Sequence, residues 1–136
     1  MTSQLTTRLA AALTGIVLQC GHGAAYAGEV IAHPSVKLGA SDIRDVYLGE
    51  KQLEGKLRLI PVDNASAQEE FLAAVLQTNQ RHYQARWVRK TFREGLRAPT
   101  VKDNDAEVRS FVRLTPGAIG YVSGRGGDGV VVLDHY

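Results

Sequence analysis

From residue 28 onward, short apolar runs with a two-residue period alternate with longer stretches in which apolar side chains recur every three or four positions. The first pattern predicts strands and the second predicts helices. Residues 29–33 (EVIAH) read as a short strand stopped by Pro34. Ser41 is expected to cap a helix whose inner face carries Ile43, Val46 and Tyr47, with Gly49 ending it. Residues 56–62 (KLRLIPV) alternate as a half-buried strand, and Pro61 points to an edge position or the strand's end. A turn is expected at Asp63-Asn64-Ala65. Ser66 with Glu69 then has the spacing of a capping box, opening a helix with a buried stripe of Phe71, Leu72, Val75 and Leu76.

The spacing next predicts a helix over 80–94, with Tyr83, Trp87, Val88 and Phe92 inward and Gly95 as its terminator. A loop follows at 97–99. Asn104 with Glu107 marks another capping box, and Val108, Phe111 and Val112 face inward from the helix after it. Pro116-Gly117 turns the chain into a strand at 118–123. The glycine-rich run 124–129 reads as a hairpin turn into a last strand at 130–133. The order is β-α-β-α-α-α-β-β, an α/β domain with helices packed on a small mixed sheet.

The first 27 residues do not fit this scheme. Arg8 is followed by a short apolar stretch, 9–18, and then by Ala25-Tyr26-Ala27, a small-x-small cleavage pattern. A secretory signal peptide over 1–27 is therefore expected, with the domain itself spanning 28–136. Removal of the signal also removes Cys20, the only cysteine, which excludes a disulfide framework and suits an oxidising periplasm. No apolar run approaches the roughly 20 residues of a membrane span. With 16 Lys+Arg against 14 Asp+Glu, the formal charge of +2 gives no reason to expect a nucleic-acid partner.

Candidate chemistry is sparse. The start of the Ser66 helix offers the amides of Ala65, Ser66, Ala67 and Gln68 and one hydroxyl to an anion. Asp63, Glu69 and Glu70 crowd the same end with negative charge, and Ser66 has the simpler reading of a helix cap. The glycine-rich loop lacks the Lys-Ser/Thr ending of a phosphate loop and precedes a strand, so no cofactor is expected there. Helix 80–94 carries Arg81, Arg86, Arg89, Lys90 and Arg93, with Arg97 just beyond. That surface is either a solvated face or a docking surface for an acidic protein or anionic lipid. His33, His82 and His135 have no metal-ligand spacing, and no G-x-S-x-G elbow occurs, so neither a metal nor catalysis is expected.

Several segments together resemble the solute-binding proteins of phosphate-type ABC transporters. Ile43-Arg44-Asp45-Val46-Tyr47-Leu48-Gly49 is similar to a family segment, and a strand ending in Pro61-Val62 follows it. Helices with Phe71-Leu72, Val75-Leu76 and Trp87 come next, and then Thr115-Pro116-Gly117-Ala118-Ile119-Gly120-Tyr121-Val122. The resemblance implies a single lobe of a type II periplasmic-binding-protein fold. It implies a periplasmic protein that binds phosphate or another small oxyanion in phosphate transport or sensing. The family motif Arg-x-Asp-Gly-Ser-Gly-Thr is altered here: Asp63 matches, Pro61 stands for the Arg, and Asn64, Ala65, Ser66 and Ala67 replace the rest. The ligand residues implied are Asn64, Ala65, Ser66 and Ala67, with Arg125 of the glycine loop as a further donor. The alternative is a ligand-free interaction module that docks a membrane transporter or sensor through the basic helix.

Overall fold

A computed structural model describes residues 25–136; residues 1–24, most of the expected signal peptide, lie outside them. Five strands form a mixed sheet: β1 (Glu29–Ala32), β4 (Ile60–Asn64), β5 (Thr100–Lys102), β6 (Ala118–Val122) and β7 (Val131–His135), in the order β5-β4-β6-β1-β7. β4 runs parallel to β5 and β6, and β1 runs antiparallel to β6 and β7. A two-stranded ribbon, β2 (Leu53–Glu54) with β3 (Leu57–Arg58), stands apart from the sheet.

Helices cover both faces. α1 (Ala40–Tyr47), α2 (Gln68–Phe71) and α3 (Gln80–Glu94) pack on one face over Val30, Ala32, Ile119 and Tyr121. α4 (Asp105–Leu114) covers the other over Ile31, Val62, Ala118 and Val122. Alternation along each strand sends neighbouring residues to the two cores, so Val62 meets α4 while Asp63 faces α3. Gly120 lets α4 approach closely, because a Cβ there would collide with Val108 and Val112.

The helix ends that the sequence marks most strongly form as expected. Asn104 Oδ1 accepts from the Glu107 amide at 3.0 Å, although the Glu107 carboxylate takes the Asp103 amide in place of Asn104's, and Gly95 closes α3 with φ at 68°. Other expectations need correction. Gly39 caps α1, its amide donating to Asp42 Oδ2 at 3.1 Å, so Ser41 lies inside the helix. The strand foreseen at 56–62 breaks at Leu59, whose amide donates to Gln52 O. β4 extends through Asn64, so the expected turn at 63–65 starts later.

Pro61 is not at a sheet edge, since β4 lies between β5 and β6. The Ile60 amide donates toward β6, to Gly117 O, so position 61 faces the β5 side. There the ladder begins only at Val62, and the missing N–H costs no bond. The glycine-rich loop is not a hairpin turn, because β1 lies between β6 and β7. The loop crosses the end of β1, with buried Gly126 against Ile31 and its amide on Glu29 Oε2 at 2.7 Å. β5 was not foreseen; three residues with one apolar side chain carry too little pattern.

Two further departures concern helices. α2 passes into a π-helical turn, Leu72–Leu76, that ends at left-handed Gln77 and is capped by Arg44 Nη1 on Leu76 O at 2.7 Å. Phe71, Leu72 and Leu76 are buried as expected, and Val75 is half-buried. In α3 only Tyr83 and Trp87 reach the core; Val88 and Phe92 are 69% and 91% exposed. Residues 83 and 87 share one line on the helix, while 88 and 92 share another that is turned well away from it.

Candidate functional site

The carboxyl end of β4 gathers the buried polar groups, as the carboxyl ends of strands do in open α/β sheets. Asp63 is 2% exposed. Its Oδ2 accepts from the Tyr83 hydroxyl of α3 at 2.9 Å, and its Oδ1 from the Tyr121 hydroxyl of β6 at 2.8 Å. Burial pushes its carboxyl from 3.8 up to about 6, against the downward pull of hydrogen bonds from Tyr121, Tyr83 and Gln68. Burial, reinforced by the Asp63 charge, also holds both tyrosines far above the ordinary phenol value. A cavity of about 240 Å³ lies beside Asp63, bordered by Gln68, Gln80, Tyr83, Gln84 and Trp87.

Asn64 is fully buried and its carboxamide is saturated. Nδ2 donates to Asp105 Oδ1 at 2.7 Å and to Tyr121 O at 2.9 Å. Oδ1 accepts from the Ser66 amide at 3.0 Å and the Ser66 hydroxyl at 2.7 Å. This side-chain turn overrides the expected capping box. Ser66 is not the N-cap of α2; that position is Ala67, which has no side-chain cap bond. Asn64 wins because its carboxamide, two residues away and already fixed in the sheet, takes both Ser66 donors.

Two more of the expected anion donors, the Ala65 and Ala67 amides, are also engaged. The Ala65 amide donates to Lys102 O at 2.9 Å and the Ala67 amide to Asn64 O at 3.1 Å. Ala67 is buried, while Ala65 and Ser66 are exposed. Arg125 is exposed in the glycine loop, and its carbonyl accepts from Arg109 Nε at 2.8 Å. Its guanidinium takes part in none of the described ion pairs.

The anion beside the expected donors is the chain's own Asp105 carboxylate, at the first turn of α4. It accepts from Asn64 Nδ2, from the Ser123 amide at 3.2 Å and from the Ser123 hydroxyl at 2.7 Å. The Ser66 hydroxyl stands at 3.4 Å and Arg109 Nη2 at 3.7 Å. Burial alone would raise this carboxyl; the bonds from Ser123 and Asn64 outweigh it, and the group lies below its ordinary value. Asn64 and Ser66 thus join Asp105 in one network, and Arg125 touches it through Arg109. Sequence reasoning missed Asp105, Ser123 and the Asp63 tyrosine pair. The available signal was that Asp63 continues the strand alternation past Val62. Among the described residues no group of three or more His, Cys, Asp or Glu is placed to hold a metal ion. No described helix is long and apolar enough to cross a membrane.

No protein-family model matches the chain, and no curated protein matches it in sequence. Solved structures do match in shape. An ABC-type phosphate transport receptor from Vibrio cholerae superposes with a TM-score of 0.50 at 12% identity, over 80% of this chain and 46% of the receptor. PstS from Borrelia burgdorferi superposes with a TM-score of 0.50 at 16% identity, over 71% of this chain and 40% of PstS. The fold is that of one lobe of a periplasmic binding protein. The chain spans less than half the length of either structure. At such identities the likeness is one of fold.

Proposed function

We propose that this protein is a periplasmic, single-lobe domain that acts as a ligand-free interaction module beside a membrane transporter or sensor of phosphate. The observation that carries this reading is Asp105. Its carboxylate already accepts from Asn64 and Ser123 and stands beside Ser66 and Arg109, the donors an oxyanion would need. A phosphate approaching this end of β4 meets a fixed negative charge and finds the Ala65, Ser66 and Ala67 amides already bonded within the chain. The signal-like pattern of residues 1–27 supports the periplasmic setting, and the likeness to two phosphate receptors supports the transport or sensing context.

The test is calorimetric titration of residues 28–136 with phosphate at low salt, with sulfate as control. The expected result is no saturable heat up to millimolar phosphate. Saturable binding that disappears in Ser66→Ala would overturn the ligand-free reading. It would establish the second reading, an oxyanion receptor working through Asn64, Ala65, Ser66, Ala67 and Arg125. That reading draws on the likeness to phosphate receptors and on Arg125, whose guanidinium is outside the described ion pairs.

A further inference from the structure

The outer stripe of α3 carries apolar side chains that the core does not use. Tyr83 and Trp87 anchor the helix, and Trp87 Nε1 donates to Tyr47 O at 3.1 Å. Val88 and Phe92, one turn apart, stand in solvent. With Gln84, Trp87, Thr91 and Ala98 they border a groove of about 620 Å³. Val101 of the neighbouring edge strand β5 is itself 52% exposed. A soluble domain that leaves Phe92 and Val88 uncovered beside such a groove has the marks of an interaction site.

The net charge of α3 and the loop after it is positive, with Glu94 as its one acid. Arg86 and Lys90, on the flank toward α1, are neutralised by Glu50, and Lys90 also by Glu94. Arg81, Arg89, Arg93 and Arg97 are in no described ion pair. No acidic residue occurs between Glu70 and Glu94.

We infer that this face docks an amphipathic helix of an acidic partner protein, an inference that rests on the interaction-module reading. The partner's apolar side chains, at helical spacing, would lie against Val88, Phe92 and the groove floor, and its Asp and Glu flanks would meet the arginines. Charge excludes the two nearer occupants. A second copy in a two-fold pairing would set the same arginines against one another. Residues 1–24 of this chain carry Arg8 and no acid, so they offer the wrong sign as well.

The probe is a fluorescein-labelled amphipathic peptide of about 18 residues, with Leu on one face and Glu on the other, read by anisotropy against its Lys-for-Glu twin. The acidic peptide binds saturably in the micromolar range, and the Lys twin binds at least about tenfold more weakly. Phe92→Ala, and separately Arg89→Glu with Arg93→Glu, each weaken the acidic peptide about tenfold or more. The charge-reversal effect shrinks as salt is added. Because Phe92 is 91% exposed, its variant keeps the wild-type circular dichroism and melting temperature.

Equal binding of the two peptides, or binding of neither, overturns the inference. So does a wild-type dimer in sedimentation that Phe92→Ala dissociates, which gives the face to a second copy. Co-sedimentation with phosphatidylglycerol vesicles, with the acidic peptide ignored, overturns it in favour of a lipid surface. The phosphate titration is independent of all of these. Silent calorimetry with no peptide bound removes this surface alone, whereas phosphate binding removes the ligand-free reading whatever the peptide does.

Discussion

Asp63 makes the stability of this protein fall as pH rises through the mildly acidic range. Its carboxyl titrates at 3.8 in the unfolded chain and at about 6 in the fold, where burial disfavours the charge. Between those values the folded state keeps a proton that the unfolded state has lost, so ionisation favours unfolding. At about 1.4 kcal/mol per pH unit, the full penalty above pH 6 is about 3 kcal/mol, and about 2 kcal/mol of it develops between pH 4.5 and 7. Asp42, Glu50 and Asp105 have lowered values and act in the opposite sense. The Asp63→Asn variant carries the same three groups, so their contributions cancel in a comparison with the wild type. Asp63→Asn keeps the side chain's shape and removes the titration. Urea denaturation of both proteins across that range should show the wild type losing about 2 kcal/mol relative to the variant as pH rises. Parallel curves, or a wild type that gains on the variant, would refute the argument that burial outweighs the two tyrosine hydroxyls.

Asp105→Ala leaves buried Asn64 Nδ2 and the Ser123 amide short of an acceptor. It should cost about 2–4 kcal/mol in urea at neutral pH. In the wild type, this contribution is lost as pH falls below 3.8 through the group's lowered value; a neutral-pH loss below about 1 kcal/mol would contradict the cradle. On α3, Trp87→Ala should destabilise by about 3–5 kcal/mol while Phe92→Ala stays within about 0.5 kcal/mol, a contrast that thermal melting reads directly. Gly120→Ala should cost about 1–3 kcal/mol by forcing Val108 and Val112 off the sheet. Unchanged stability there would mean that α4 is free to move.

The helix boundaries at Gly95 and Asn104 were legible because their chemistry is local: a left-handed glycine and a side chain that reaches an amide three residues on. The burial of Tyr83, Trp87, Val108 and Val112 followed from helical spacing for the same reason. Val88 and Phe92 were misplaced because spacing groups apolar residues without saying how wide the buried face is. That width depends on what packs against the helix, and the core accepts only the 83–87 line. Ser66 illustrates a second limit. Its spacing from Glu69 satisfies a capping rule, yet Asn64, held by β6 and α4, captures its donors first.

By itself, the sequence determined an α/β domain with strands near 29–33, 118–123 and 130–133 and the helix ends at Gly95 and Asn104, because hydrophobic period and capping are short-range properties. Tertiary structure decided the sheet order, with β1 inserted between β6 and β7, and admitted Pro61 into a central strand. It also brought Asp63 to Tyr121 and Asp105 to Asn64, pairs separated by 58 and 41 positions. Those pairings arise only when crossovers bring distant strand ends together. The result is that the chain's own carboxylate, and no spacing of residues along it, fixes the electrostatics at the end of β4.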